Sequence, residues 1–151
     1  MINVTKFRHV AIVVKDLDKM INFYVDVLGF ELKREIEIES DDFRRGVGLP
    51  DAKAKGAHLI VPNSDVEIEM FEFKEQIERN SELSLANYPG YRHIALIVDN
   101  LEETYECLEK EGIEFYSEPI HVKEPANVAG FRFVYFKDPE GNIIELNQLP
   151  N

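Results

Sequence analysis

The spacing of apolar residues predicts a strand and then a helix at the start of the chain. Residues 6–14 form an apolar, β-branched run, which is typical of a buried strand. Asp16 is a suitable N-cap, and apolar residues then recur at helical spacing from Leu17 to Leu28. Gly29 follows as a C-terminal stop. The predicted helix therefore has about three turns and one apolar face that packs on a sheet.

Alternation replaces helical spacing in the next part of the chain. Residues 30–39 alternate between apolar and charged side chains, which predicts a half-exposed strand. The Ser, Asp, Gly and Pro residues within 40–53 predict a loop. Two further strands are predicted over 54–61 and 66–73, with a turn at 62–65 between them. In the last strand, one face carries Val66, Ile68 and Met70, and the other carries Glu67, Glu69, Phe71 and Phe73.

The second half of the chain repeats this succession of elements. It begins with a predicted strand over 91–98, and Asn100 and Glu103 then have the N-cap and N3 spacing of a capping box. Gly112 ends this second helix. The remaining predicted segments are the start of a strand at 113–116, a loop over 118–130, a strand over 131–136, a turn over 138–142 and a strand over 143–146.

The two halves share a short repeated stretch, and this repeat sets the predicted architecture. Residues 7–17 and 91–101 both place an Arg-His pair ahead of an apolar run, a polar pair and a helix start. A helix after one strand, followed by a run of strands, indicates an α+β fold with mixed sheets. Neither half alone offers much core, so we expect the two to pair as one domain. That domain covers 1–151, with modules at about 5–73 and 90–149 and a linker over 74–89.

Charge and composition narrow the range of partners. The formal net charge is -12, and the sequence has no Lys/Arg cluster that could bind a phosphate backbone, so nucleic acid is excluded. No apolar run approaches the roughly 20 residues of a membrane helix, and the N-terminus does not resemble a secretion signal. The single cysteine, Cys107, fits a reducing cytoplasm and is expected to be buried. These features predict a cytoplasmic protein that binds neither nucleic acid nor a membrane.

Two histidines and two glutamates occupy equivalent positions in the repeat. His9 and His93 each lie in the first strand of their half, and Glu69 and Glu145 each interrupt an apolar strand that follows a turn. A carboxylate that faces a core is costly unless it is paired or bound to a cation. Two imidazoles and two carboxylates without a thiolate suit one divalent ion, such as Zn, Ni, Co, Fe or Mn.

The sequence contains other residues that could belong to a functional site. Glu67 lies on the same strand face as Glu69 and could replace it as a ligand. His58 and His121 have no counterpart in the repeat, so we expect both to be non-catalytic. Three aromatic residues are expected to belong to the core rather than to line a ligand cleft: Phe131, Phe133 and Tyr135.

Four stretches of the chain carry a resemblance to a known family. They are HVAIVVKDL at 9–17, FYVDVLGF at 23–30, RHIAL at 92–96 and DPEGNIIEL at 138–146. Together they resemble the vicinal oxygen chelate superfamily, the group of glyoxalases, bleomycin resistance proteins and extradiol dioxygenases. The resemblance extends over nearly the whole chain, and the motifs are specific for the superfamily rather than for one activity.

The resemblance implies two tandem βαβββ modules that form a curved mixed sheet around a metal or ligand cleft. It also implies metal ligands from the first and last strands of each module, which by position are His9, Glu69, His93 and Glu145. A full set of four ligands is most like glyoxalase I, in which a base removes a proton beside a carbonyl and the metal stabilises an enediolate. Glu145 would be that base, with Glu69 as the other candidate. Many such proteins are homodimers that act on a small-molecule substrate.

Other activities fit the same resemblance. An Fe(II) extradiol-type dioxygenase would use two His and one Glu, and Glu69 would then occupy a position that oxygen needs. A small-molecule (drug) binding protein of the bleomycin-resistance type works without metal, and such proteins generally lack the ligand set that this chain keeps. Methylmalonyl-CoA epimerase is a looser match, because it usually carries Gln at the position of Glu69. The predicted loops 40–53 and 118–130 would decide substrate choice.

Overall fold

Eight strands and three α-helices occur in residues 2–150, the part of the chain that the computed structural model describes, and the predicted α+β class is confirmed. The strands are β1 (His9–Val13), β2 (Glu31–Ile38), β3 (Ala54–Ile60), β4 (Glu67–Phe73), β5 (His93–Ile97), β6 (Ile120–His121), β7 (Arg132–Lys137) and β8 (Ile143–Gln148). The α-helices are α1 (Leu17–Asn22), α2 (Asp41–Val47) and α3 (Leu101–Lys110). A π-helical turn (Phe23–Val27) continues α1, and a 3-10 helix covers Ser81–Ser84. No helix within 2–150 is long and apolar enough to cross a membrane.

The strands form two four-stranded mixed sheets, one in each of two compact units. The first unit extends to Glu78 and its sheet has the order β1-β4-β3-β2, while the second begins at Arg79 and its sheet has the order β5-β8-β7-β6. In each sheet the unit's first strand is parallel to its last strand, and the other pairs are antiparallel. This topology confirms the tandem βαβββ prediction. It also places the strands that carry the candidate ligands side by side.

A helix covers one face of each sheet, and the core of each unit lies between them. In the first unit, Leu17 and Met20 of α1 are buried together with Ile68 and Met70 of β4. Burying an apolar side chain of this size contributes about 1.5–3 kcal/mol. The second unit buries an equivalent set under α3: Leu101, Leu108, Val134, Phe136, Ile144 and Leu146. The predicted division of β4 into two faces is therefore confirmed. The face with Glu67 and Glu69, called the polar face although it also carries Phe71 and Phe73, is left for the candidate site.

The first helical segment, α1 together with its π-helical turn, begins and ends where the sequence predicts. Asp16 is the N-cap, and its Oδ1 accepts a hydrogen bond from the backbone N–H of Lys19 at 3.0 Å. Gly29 follows the π-helical turn with φ of 73°, in the left-handed region that favours glycine. These two residues fix the connection from β1 to β2.

A helix replaces part of the predicted loop 40–53. Ser40 caps α2 through a hydrogen bond from the backbone N–H of Phe43 to its Oγ, at 3.2 Å. The Phe43 ring lies 6.0 Å, between ring centroids, from both Phe71 and Phe73 on the polar face of β4. This tertiary contact and the Ser40 cap stabilise a short helix although Gly46, inside it, disfavours helix.

Two predictions in the second unit differ from the structure. Strand β6 lies inside the predicted loop 118–130, while the strand predicted at 113–116 makes only one isolated bridge, from Phe115 to Phe136. Cys107 is exposed rather than buried, because it lies on the solvent side of α3 while Leu108 takes the core position beside it.

The capping box at the start of α3 provides a stability test. Asn100 Oδ1 accepts a hydrogen bond from the backbone N–H of Glu103 at 3.2 Å, and Asn100 Nδ2 donates to Glu103 Oε2 at 3.3 Å. We expect Asn100→Ala to lower the free energy of unfolding by about 0.5–2 kcal/mol, because the N–H loses its acceptor. In a chain of this size, thermal unfolding should shift by about 2–4 °C per kcal/mol. Asp99→Ala is the matched control, and equal melting temperatures for the two variants would contradict this prediction.

Candidate functional site

The first half-site, His9 and Glu69, lies where β1 and β4 run side by side. His9 Nε2 is 3.4 Å from Glu69 Oε2, with side-chain exposures of 32% and 15%. The parallel register pairs Ala11, two residues after His9, with Glu69. The side chains of His9 and Glu69 therefore meet diagonally on one face of the sheet. His9 Nδ1 is buried and has no hydrogen-bond partner within residues 2–150. The predicted imidazole and carboxylate are therefore brought together.

His58, which has no counterpart in the repeat and is predicted to be non-catalytic, lies behind this half-site. It is 2% exposed in the middle of β3 and directly opposite Glu69 in the strand register. Its Nε2 is 3.0 Å from Glu69 Oε1 and 3.2 Å from Arg34 Nη2, and its Nδ1 is 3.0 Å from Glu67 Oε2. The available signal was a single histidine in an otherwise apolar strand, but only the pairing of β3 with β4 shows which carboxylates it faces.

Both carboxylate oxygens of Glu67 are engaged within the same cluster. Lys33 Nζ donates to Oε1 and His58 Nδ1 donates to Oε2. The hydrogen bond from Lys33, followed by that from His58, lowers the pKa of Glu67 from 4.5 to about 2. Glu69, in contrast, keeps one oxygen directed at His9. This difference favours Glu69 over Glu67 as a ligand.

The lowered pKa of Glu67 has a consequence that can be measured. Its pKa in the folded protein lies below its ordinary value of 4.5, so its stabilising contribution is present above that pH and is lost as the pH falls towards 2. Lys33→Met should raise the pKa of Glu67 towards 4.5, because Lys33 makes the largest contribution to the shift. An NMR titration of the Glu67 carboxyl group would measure this change, with Lys55→Met as the control. An unchanged pKa of Glu67 in Lys33→Met would contradict the role of Lys33 in lowering that pKa.

The second half-site, His93 and Glu145, lies between β5 and β8. His93 Nε2 is 3.0 Å from Glu145 Oε2, with side-chain exposures of 38% and 11%. The Tyr135 ring meets the His93 ring edge-on, with 5.3 Å between the ring centroids. In the amide orientation that satisfies both groups, the Asn147 amide nitrogen donates to Glu145 Oε1 at 2.8 Å. The predicted pair is therefore close here too, and further polar groups surround its carboxylate.

Tyr135 and Glu145 influence each other directly. Burial raises the pKa of the Tyr135 hydroxyl above its ordinary value of 10.0, and the charge of Glu145 and a hydrogen bond with it raise the pKa further. The phenol therefore stays protonated at neutral pH and can donate a hydrogen bond to the Glu145 carboxylate.

The same register positions carry the site residues in both units. Ala11 pairs with Glu69 across the parallel strands of the first unit, and Ala95 pairs with Glu145 in the second. Across the antiparallel neighbour, His58 pairs with Glu69 and Tyr135 pairs with Glu145. The repeat therefore extends to the residue opposite each carboxylate. That residue is a histidine in the first unit and a tyrosine in the second.

Comparison with known proteins identifies the family. The profile of the Glyoxalase/Bleomycin resistance protein/Dioxygenase superfamily matches residues 6–146. The chain belongs to this superfamily. The resemblance seen in the sequence is thus confirmed.

Relatives within the superfamily carry several different names. An uncharacterised protein of Bacillus subtilis, YwkD, is 33% identical, over 92% of this chain and 93% of its own length. A 2-epi-5-epi-valiolone epimerase of Actinomyces is 27% identical, over 95% of this chain and 79% of its own length. A probable lactoylglutathione lyase of Synechocystis is 29% identical, over 93% of this chain and 92% of its own length. The superfamily therefore includes lyases and epimerases.

A solved structure from the same superfamily shows the same fold. The glyoxalase family protein of Bacillus cereus superposes with a TM-score of 0.83 at 25% identity, over 99% of this chain and 97% of that chain. The likeness extends over both units of the chain.

The donor types of the half-sites, one imidazole nitrogen and one carboxylate oxygen in each unit, are ones that divalent transition metals bind. Each unit directs one imidazole nitrogen and one carboxylate oxygen at each other. Such nitrogen and oxygen donors suit Zn, Ni, Co, Fe or Mn. His9 Nδ1 is buried without a partner, so His9 has donor capacity that the described residues leave unused. Within 2–150, no group of three or more His, Cys, Asp or Glu side chains is arranged to hold a metal ion.

Of the remaining candidates, His121 makes its contacts outside the half-sites, whereas Tyr135 belongs to the second half-site. His121 Nε2 is 2.6 Å from Glu102 Oε1, and Arg132 Nη1 donates to Glu102 Oε2 at 3.0 Å, in a partly exposed cluster. Phe133 and Tyr135 are predicted to be core residues, but both are half-buried and lie on the same sheet face as Glu145. The core prediction is therefore wrong for these two residues. Their rings lie 5.6 Å apart and extend from His93 along β7.

Proposed function

We propose that the protein is a metal-dependent lyase or isomerase of the glyoxalase I type, which removes a proton from a carbon beside a carbonyl. The supporting observation is that each unit pairs one imidazole with one carboxylate on neighbouring strands. We propose that His9, Glu69, His93 and Glu145 hold one divalent ion of Zn, Ni, Co, Fe or Mn. When bound, this ion would polarise the substrate carbonyl as a Lewis acid.

Glu145 is the residue that we propose as the catalytic base. Its side chain is 11% exposed, and His93 Nε2 lies 3.0 Å from its Oε2. Asn147 and Tyr135 contact the same carboxylate and hold its orientation. A base must reach the proton in a defined geometry, so this restraint favours proton transfer to a Glu145 oxygen. Glu69 is the alternative base, with His58 against its Oε1 and His9 against its Oε2.

An epimerase is a second candidate within the same chemistry. One relative carries the name 2-epi-5-epi-valiolone epimerase and another the name probable lactoylglutathione lyase. Both kinds of reaction can begin by removing a proton beside a carbonyl, and they differ in where the proton returns. The two half-sites support the first step and leave the substrate open.

A substrate screen with isotope exchange tests the proposal. The protein is loaded with Ni, Co or Zn and given methylglyoxal hemithioacetals of several thiols, and also 2-methyl acyl thioesters, in deuterium oxide. We expect thioester formation, or deuterium at the carbon beside the carbonyl, with at least one substrate. Neither product nor exchange with any of them would overturn the proposal. Catechol-dependent oxygen uptake after anaerobic Fe(II) loading would instead support an extradiol-type dioxygenase.

We also propose that the protein is cytoplasmic, because its single cysteine suits a reducing compartment.

We propose in addition that the protein forms a homodimer, as the resemblance to the superfamily implies. Light scattering after gel filtration would measure the mass of the assembly against the 17.5 kDa of one chain. A single species of monomer mass at micromolar concentration would contradict the dimer.

A further inference from the structure

His58 is the most deeply buried ionisable side chain near the first half-site. It is 2% exposed, in the middle of β3. A buried polar group is costly unless it is hydrogen-bonded, and here both ring nitrogens have polar neighbours. The ring therefore occupies a site built to receive it.

The ring of His58 connects two carboxylates on the next strand. Its Nδ1 is 3.0 Å from Glu67 Oε2, and its Nε2 is 3.0 Å from Glu69 Oε1. Glu67 is fixed in turn by Lys33, which donates to its other oxygen. Arg34 Nη2 lies 3.2 Å from the same Nε2, on the side of β2. Because a guanidinium only donates and a carboxylate only accepts, Nε2 orients Glu69 in the form in which it carries a proton and donates to Oε1. The ring is thus held from both neighbouring strands.

The two oxygens of Glu69 have separate partners as a result. Oε1 faces His58, while Oε2 lies 3.4 Å from Nε2 of His9. We propose that His58 is a positioning residue that fixes the Glu69 carboxylate towards His9 and thereby sets the metal affinity of the first half-site. This inference rests on the proposed metal-dependent function.

The second unit supports this role through the repeat. Tyr135 occupies the position opposite Glu145 that His58 occupies opposite Glu69. Each unit therefore places a polar ring behind its carboxylate. In the first unit the ring also contacts a second carboxylate, Glu67, and the guanidinium of Arg34. Groups behind a ligand orient it, and losing such a group typically lowers metal affinity.

Metal affinity of two His58 variants tests the inference. His58→Leu removes both ring nitrogens, while His58→Gln keeps a side-chain amide that can donate to Glu69. Chelator competition measures Co(II) affinity, and the visible absorption of bound Co(II) reports ligand geometry without turnover. We expect His58→Leu to lower the affinity by about 10–100-fold and to change the spectrum. His58→Gln should restore most of the loss, and His121→Leu, the matched control, should behave as wild type.

The outcomes separate this inference from the proposed function. Wild-type protein that binds no Co(II) overturns both. Wild-type protein that binds Co(II) with the same affinity and spectrum as His58→Leu overturns only the role of His58. If His58→Leu does not fold, Glu67→Gln decides the question, because it replaces the carboxylate that holds Nδ1. An unchanged Co(II) spectrum in Glu67→Gln would overturn the inference, and a changed spectrum with lower affinity would support it.

Discussion

Glu145→Gln is expected to lower kcat/KM for an enolisable carbonyl substrate by about 10²–10⁴-fold, the usual contribution of a general base. The substitution keeps the size of the side chain and one of its two oxygens, so the contact with either His93 or Asn147 can be retained. A neutral amide cannot accept the substrate proton, so the proton-transfer step is slowed while the fold is kept. Because Glu145 is also a proposed ligand, turnover is compared with the metal in excess. Solvent deuterium exchange at the reacting carbon should fall in parallel with turnover.

The control for this variant is a glutamate of the same chain outside the half-sites. Glu106→Gln, on the exposed side of α3, makes the same chemical change and should leave turnover unaltered. Equal activity of Glu145→Gln and Glu106→Gln would remove Glu145 as the base. Glu69→Gln would then be the next variant to measure.

His93→Ala is expected to lower the affinity for a divalent ion by more than about 100-fold, since even the loss of a group behind a ligand costs about 10–100-fold. His93 supplies one of the two donors of the second half-site, with its Nε2 3.0 Å from Glu145 Oε2. Removing the imidazole leaves the carboxylate as the single donor of that pair. Isothermal titration with Ni or Zn would measure the change.

A second histidine provides the comparison that this experiment needs. His121→Ala removes an imidazole that lies beside Glu102, so we expect metal affinity equal to wild type. His9→Ala should resemble His93→Ala, because the two residues are equivalent in the repeat. Equal affinity of His93→Ala and His121→Ala would contradict the assignment of the ligands.

Much of the fold was predictable because its information is local or repeated. Asp16 and Gly29 carry the start and stop signals of the first helical segment, and both act as predicted. The pairing of His9 with Glu69 and of His93 with Glu145 could be inferred because the repeat places each pair on the first and last strands of a unit.

The features that were missed depend on contacts between distant parts of the chain. His58 faces Glu69 only because β3 and β4 pair in one particular register, which the sequence of β3 does not specify. The packing of Phe43 on β4 adds a tertiary contact to the local caps of helix α2. Cys107 was predicted to be buried because free cysteines usually are, but Leu101 and Leu108 form the buried face of α3 and Cys107 lies outside it.

Metal content after matched loading tests the central claim most directly. Wild-type protein and Glu145→Ala are loaded with the same metal, freed of excess and measured by mass spectrometry. The account predicts about one metal ion per wild-type chain and clearly less in the variant, because each ligand donor contributes to affinity. No metal in either protein after loading, or equal metal in both, would contradict a metal site that includes Glu145.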